Sequence, residues 1–170
     1  MVKYYVCCFK NMRPYYIFAD ILEYAEKLDW SHVEIVRVVN DEWSEATTFG
    51  SIFPKSRSMP LAKMLEHYEM KFVVPLSLKV DISEADKILV ELMNKRYSLA
   101  QIVFAGLRIL TGFSVSWLNT TKPNLSKFLI CTELVGIFMQ EACQYRFETS
   151  PELLTLRETK QIAIDGLPKD

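Results

Sequence analysis

The chain has 170 residues, 50% of them hydrophobic and 12% aromatic, with 20 basic residues against 21 acidic and a net charge of −1. That length and apolar content exclude a disordered chain and predict one domain whose core needs no disulfide staples. The even charge balance gives no electrostatic case for nucleic acid or for an acidic membrane surface as partner.

In chain order, Lys3 to Phe9 is expected to be a first strand, with the adjacent Cys7 and Cys8 on opposite faces. Pro14 suits a first helical turn, and Ile17, Ile21, Ala25 and Leu28 recur at helical spacing, which predicts a helix over about 15–28. Ser31 to Val39 reads as a β-branched strand. Asn40-Asp41 is turn chemistry, so Glu42 to Thr48 is expected to return as the partner strand of a hairpin. Phe49 to Pro60 reads as a glycine- and proline-bounded loop and Leu61 to Tyr68 as a short helix. Lys71 to Val80 alternates as a strand with Phe72, Val74, Leu76 and Leu78 on one face, and Pro75 within it points to an edge or a bulge.

Further along, Ser83-Glu84-Ala85-Asp86 reads as a capping box that opens a helix to about Lys95. A second helix is expected over about 99–110, then an irregular stretch from Phe113 to Ser126, then a helix from Cys131 to about Ala142. Ser150-Pro151-Glu152 is another helix-start signature, and the last twenty residues read either way. Strands early and helices late predict an α+β fold, a small antiparallel sheet packed against helices.

The N-terminal segment is too short for a secretory signal with a small-residue cleavage site. No run of about 18 uncharged apolar residues occurs; the longest candidate, Leu99 to Phe113, is broken by Gln101, Arg108 and two glycines. A cytoplasmic protein without an integral membrane segment is therefore expected, and a phage- or virus-encoded one would read the same way. Four cysteines in such a chain are expected to be reduced. Cys-x-x-Cys and His-x-x-x-His spacings are absent, so neither a metal site nor a cofactor is expected.

The chemistry points to two residues. His32 opens the strand Ser31-His32-Val33-Glu34-Ile35-Val36, and Cys131 stands where an apolar run turns helical in Leu129-Ile130-Cys131-Thr132-Glu133-Leu134-Val135. A helix start favours a thiolate, an imidazole accepts its proton, and a third polar group holds the imidazole in the useful tautomer. The backbone N–H of the cysteine would then face a developing oxyanion. Glu42, Ser44, Glu45 and Thr47 on the partner strand are the candidates for the third group, and Glu45 is the choice, expected across from His32. Glu34, two residues along the same strand, is read only as a same-face neighbour.

Here the sequence resembles a family. A strand beginning Ser-His-Val-x-Ile-Val, a following strand with Glu-Ala and a late Cys-Thr-Glu-Leu-Val look like the circularly permuted, NlpC-type papain-like hydrolases. The group most like it is the YiiX/YaeF type, distantly related to lecithin-retinol acyltransferase, in which the histidine strand precedes the cysteine helix. Asn94-Lys95-Arg96-Tyr97-Ser98 resembles that group's Gly-Lys-x-Tyr-Asp segment, with Ser98 in place of aspartate, and Thr132 stands where serine is commoner. The resemblance implies a papain-like core with Cys131 as nucleophile, His32 as general base and Glu45 as the residue that orients it. It also implies an amide substrate, peptide, small molecule or lipid amide, cleaved through a thioester. Lipid acyl transfer or ester hydrolysis by the same triad is the alternative, as is a silent binding or assembly protein.

Other reactive residues have plainer readings. His67 is expected on solvated surface, Cys143 in packing, and Glu133 in a first helical turn that welcomes a carboxylate. Tyr4, Tyr5, Tyr15, Tyr16 and Phe18 read as core and rim, and Lys55, Arg57 and Lys63 as a solvated basic loop. Substrate contacts are expected between Lys55 and Tyr68.

Overall fold

In the computed structural model, residues 1–13, 23–24, 26–52, 54–97, 128–147, 151 and 154–166 are described. Their strands form one sheet in the order β5-β1-β2-β3-β4-β6-β7. The five long strands are β1 (Val2–Asn11), β2 (His32–Val39), β3 (Glu42–Ile52), β4 (Lys55–Pro60) and β5 (Tyr68–Pro75). All their pairings are antiparallel. The short β6 (Arg96–Tyr97) and β7 (Phe128–Leu129) extend the sheet, pairing with each other in parallel. The helices are α1 (Leu61–Leu65), α2 (Ile82–Leu92), α3 (Cys131–Ala142) and α4 (Leu156–Asp165). The fold is α+β, as the element order predicts.

The β2–β3 turn forms because Asn40 and Asp41 both tolerate positive φ, 53° and 61°, which suits a two-residue hairpin connection. Beyond the turn the pairing shifts between Arg37 and Val39, and Ile35 then pairs with Phe49. Strand β3 runs on to Ile52 because its second half is also paired with β4, Phe49 with Ser58 and Gly50 with Arg57. The loop expected over Phe49 to Pro60 is therefore two strands and a tight connection. Lys55 and Arg57 are strand residues, and Lys55 reaches Asn94 Oδ1 at 3.2 Å. Pro75 ends an edge strand, where its missing N–H costs no ladder bond.

Apolar clusters pack on both sides of the sheet. The larger joins Tyr4, Val6, Cys8, Val33 and Ile35 to Ala85, Leu89, Leu134, Phe138 and their neighbours on α2, α3 and α4. The smaller joins Cys7, Phe9, Val36, Val38 and Ala46 to Leu61 and Met64 of α1. Helix α3 is the central one, buried at every residue from Cys131 to Met139, and it packs across β2 and β3 beside α2 and α4.

Helix α3 starts and stops where the sequence places it. Helix α2 starts two residues earlier than the Ser83 signature suggests, because Asp81 is the cap: its Oδ1 accepts from Glu84 N at 2.8 Å. In the C-terminal stretch Thr155 caps α4, while Ser150 and Glu152 of the expected helix start lie outside the described residues. Thr155 Oγ1 accepts from Glu158 N, and the Glu158 carboxylate accepts from Thr155 N, a reciprocal capping box. The helix expected over 15–28 lies mainly outside the described residues, within which Glu23, Tyr24 and Glu26 are helical. The helix over 99–110 and the irregular stretch 113–126 also lie outside them, as does Ser98. Among the described residues no helix is long and apolar enough to cross a membrane.

Candidate active site

Helix α3 begins at Cys131 and strand β2 begins at His32, and the fold brings these two first residues together. Each is 7% exposed. The thiol lies close enough to the imidazole to help hold its pKa up. On its other side the imidazole is held at Nε2, which lies 2.8 Å from Glu34 Oε1. With Nε2 committed to the carboxylate, Nδ1 is the nitrogen left for the thiol. Glu34 is 1% exposed, so both partners of His32 act from a medium that screens charge poorly.

The third member of the expected constellation needs correction. Glu45 is exposed and lies near the turn end of the hairpin. The register that pairs Ile35 with Phe49 carries the start of β2 toward Ile52, well past Glu45. Glu34 occupies the place Glu45 was expected to take. It can do so because residues i and i+2 of a strand share a face, and a glutamate is long enough to turn back along that face to its neighbour. The expectation that Glu34 would be a mere neighbour therefore fails. One signal for it was legible: a glutamate inside the run His-Val-Glu-Ile-Val-Arg-Val-Val sits where burial makes an unpartnered carboxylate costly.

Burial by itself would lower the pKa of the His32 imidazolium. The Cys131 thiol and the Glu34 carboxylate outweigh that and hold it up at about 9, against an ordinary 6.5. Two groups with negative forms flanking one buried imidazole favour its charged state. The ring of Tyr68, the first residue of β5, lies against that of His32 with centroids 5.8 Å apart. Of the segment in which substrate contacts were expected, Tyr68 is the residue brought to the imidazole.

The start of α3 is also unusual in its local chemistry. Its cap residue is Ile130, whose side chain makes no hydrogen bond to the first-turn amides. Three buried side-chain atoms lack a hydrogen-bond partner among the described residues, and all three belong to this neighbourhood in sequence or contact. They are Ser31 Oγ beside His32, Glu34 Oε2 and Thr132 Oγ1 beside Cys131. Unspent polar groups are costly in a core and cluster where chemistry is done.

The remaining cysteines are buried and free. Burial raises the thiols of Cys8 and Cys143 to about 12, and that of Cys7 further. Among the described residues the thiol that acts on His32 is that of Cys131. His67 is exposed, and Glu133 is buried in the first turn of α3. Among the described residues no group of three or more His, Cys, Asp or Glu side chains could hold a metal ion. No protein-family model matches the chain, and no curated protein matches it.

Proposed function

We propose that the chain is a cysteine hydrolase that cleaves an amide by acyl transfer through Cys131. The observation that carries this reading is a single buried imidazole in contact with a thiol at a helix start and with a carboxylate on its far nitrogen. The Cys131 thiol first gives its proton to His32, whose imidazolium Glu34 stabilises, and the thiolate so formed attacks the carbonyl carbon. The oxyanion develops beside the Cys131 amide at the start of α3, a position where an N–H has no partner within the helix and the cap residue Ile130 offers no side-chain acceptor. His32 then gives its proton to the departing amine as the C–N bond breaks, leaving a thioester on Cys131. Water attacks the thioester, His32 takes its proton, and the acid departs as the thiol is restored.

The order of the parts, histidine strand before cysteine helix, supports assignment to the permuted NlpC-type papain-like hydrolases. In that assignment Glu34 takes the orienting role. An ester or lipid acyl donor would use the same groups.

The test is covalent. Incubation with activated aryl esters and peptide amides, followed by intact-mass and peptide mapping, should trap an acyl group on Cys131. Cys131→Ala should carry none, and His32→Ala should acylate slower by about a hundredfold or more. If no acyl donor labels Cys131, or if Cys131→Ala turns substrate over like the parent, the protein is a binding module with this fold and the proposal falls.

A further inference from the structure

Gly50 lies in the interior of β3, bonded to β4 on one side through the pairing with Arg57. On the other side the Ile35–Phe49 pairing sets it beside Glu34 of β2. Glycine inside a strand costs about 0.5–1 kcal/mol relative to alanine, so such a position calls for a reason. Its φ is not in the left-handed region, so the backbone does not demand glycine. The reason lies in the space above it. A Cβ built on Gly50 would sit 2.3 Å from both Cδ and Oε1 of Glu34, and 2.5 Å from its Cγ. The glutamate carboxyl fills the volume that any other residue's side chain would take.

The consequence is specific to the imidazole. Oε1, one of the three atoms the Cβ would strike, is the atom that binds His32 Nε2. Strand β3 is held there by its pairing to β4 at Gly50–Arg57 and, one residue back, by its pairing to β2 at Phe49–Ile35, whereas the glutamate side chain has three torsions and can move. Adding a methyl at position 50 therefore moves the carboxylate off His32. The other described glycines differ: Gly136 abuts Leu154 and Pro151, and Gly166 abuts the Tyr145 ring, both packing contacts.

We infer that Gly50 is a positioning residue: by carrying no side chain it provides the seat from which Glu34 holds His32. The inference rests on the catalytic reading above for its meaning, but its geometry is tested separately.

The experiment follows the His32 imidazole by NMR titration in a His67→Gln background, so that one histidine signal remains. It compares Gly50→Ala, Glu34→Ala and the double variant, with thermal melting of each. Gly50→Ala is expected to lower the His32 midpoint as Glu34→Ala does, and the double variant to lower it no further. Melting should show the double variant at least as stable as Glu34→Ala, because the carboxyl the methyl would strike is gone. If Gly50→Ala proves too unstable to titrate while the double variant folds, the clash with Glu34 is the cause and the inference stands. If Gly50→Ala leaves the midpoint unmoved, or destabilises equally with and without Glu34, the inference is overturned. Failure of the acylation test with this titration as expected would remove the enzyme and leave the seat.

Discussion

The two ends of the β2–β3 hairpin carry the same residue types in opposite settings. At the turn, Asn40, Asp41, Glu42, Ser44 and Glu45 are exposed; at the open end, His32, Glu34, Gly50 and Ser51 are buried. A carboxylate in water interacts with a charge 4 Å away by about 1 kcal/mol, and several times that at a partly buried site. Glu45 and Glu34 therefore differ in what they can do although both are glutamates on neighbouring strands of one hairpin. What separates them is register and the glycine across from Glu34, neither of which is a property of the glutamate.

Exchanging the two ends' carboxylates should give the largest contrast. Glu34→Gln keeps the shape and removes the charge behind His32, and turnover of any substrate that acylates Cys131 should fall by about a hundredfold or more. Glu45→Gln should leave it within about twofold, as expected of an exposed site. Steady-state kinetics on both variants checks this, and equal losses would erase the distinction between the ends.

The buried end should also make stability depend on pH in a defined window. His32 has a folded pKa raised to about 9. Its contribution is therefore fully present below the unfolded value of about 6.5 and is lost as pH rises through about 9. Denaturant unfolding at several pH values should show the parent's advantage over His32→Gln shrinking by a few kcal/mol across that window. Taking the difference between the two proteins cancels the titration of the other buried thiols. An advantage that stays constant would mean that the imidazole is not held charged.

A smaller effect separates two helix starts. At α4 the first amides are spent: Thr155 accepts from Glu158 N, and the Glu26 carboxylate accepts from Leu156 N at 3.1 Å and Arg157 N at 2.9 Å. At α3 the cap residue, Ile130, has no side-chain acceptor for the first amides. Thr155→Ala should cost about 1 kcal/mol in unfolding free energy and leave acylation of Cys131 unchanged. A change in acylation would show that the two helix starts are coupled.

Much of this architecture is legible in the residues. The span of α3, from Cys131 to Ala142, follows from its apolar run, and the pairing of Cys131 with His32 follows from what a thiol needs. The errors share a cause. Gly50 and Pro54 look like loop residues when the segment is read alone, but Phe49 to Ile52 all pair with β4, and Phe49 with β2 as well, so they stay in the sheet. Shortening β3 by that stretch also misplaces its register, so Glu45 is set opposite His32 when it lies near Arg37. Local propensity gives the strand's existence; the register depends on partners distant in sequence. The same holds for the cap of α2, where Asp81 and Ser83 are both competent and only the helix's actual start chooses between them.

The most direct measurement is the rate at which iodoacetamide alkylates Cys131 at about pH 6, located by peptide mapping, where an unassisted thiol of pKa about 8.5 is almost wholly protonated. It is compared in the parent, His32→Ala, Glu34→Gln and Glu45→Gln. The site described here predicts fast alkylation in the parent and in Glu45→Gln, and a fall of about tenfold or more in His32→Ala and Glu34→Gln. Equal rates in all four proteins, or a loss in Glu45→Gln alone, would contradict it.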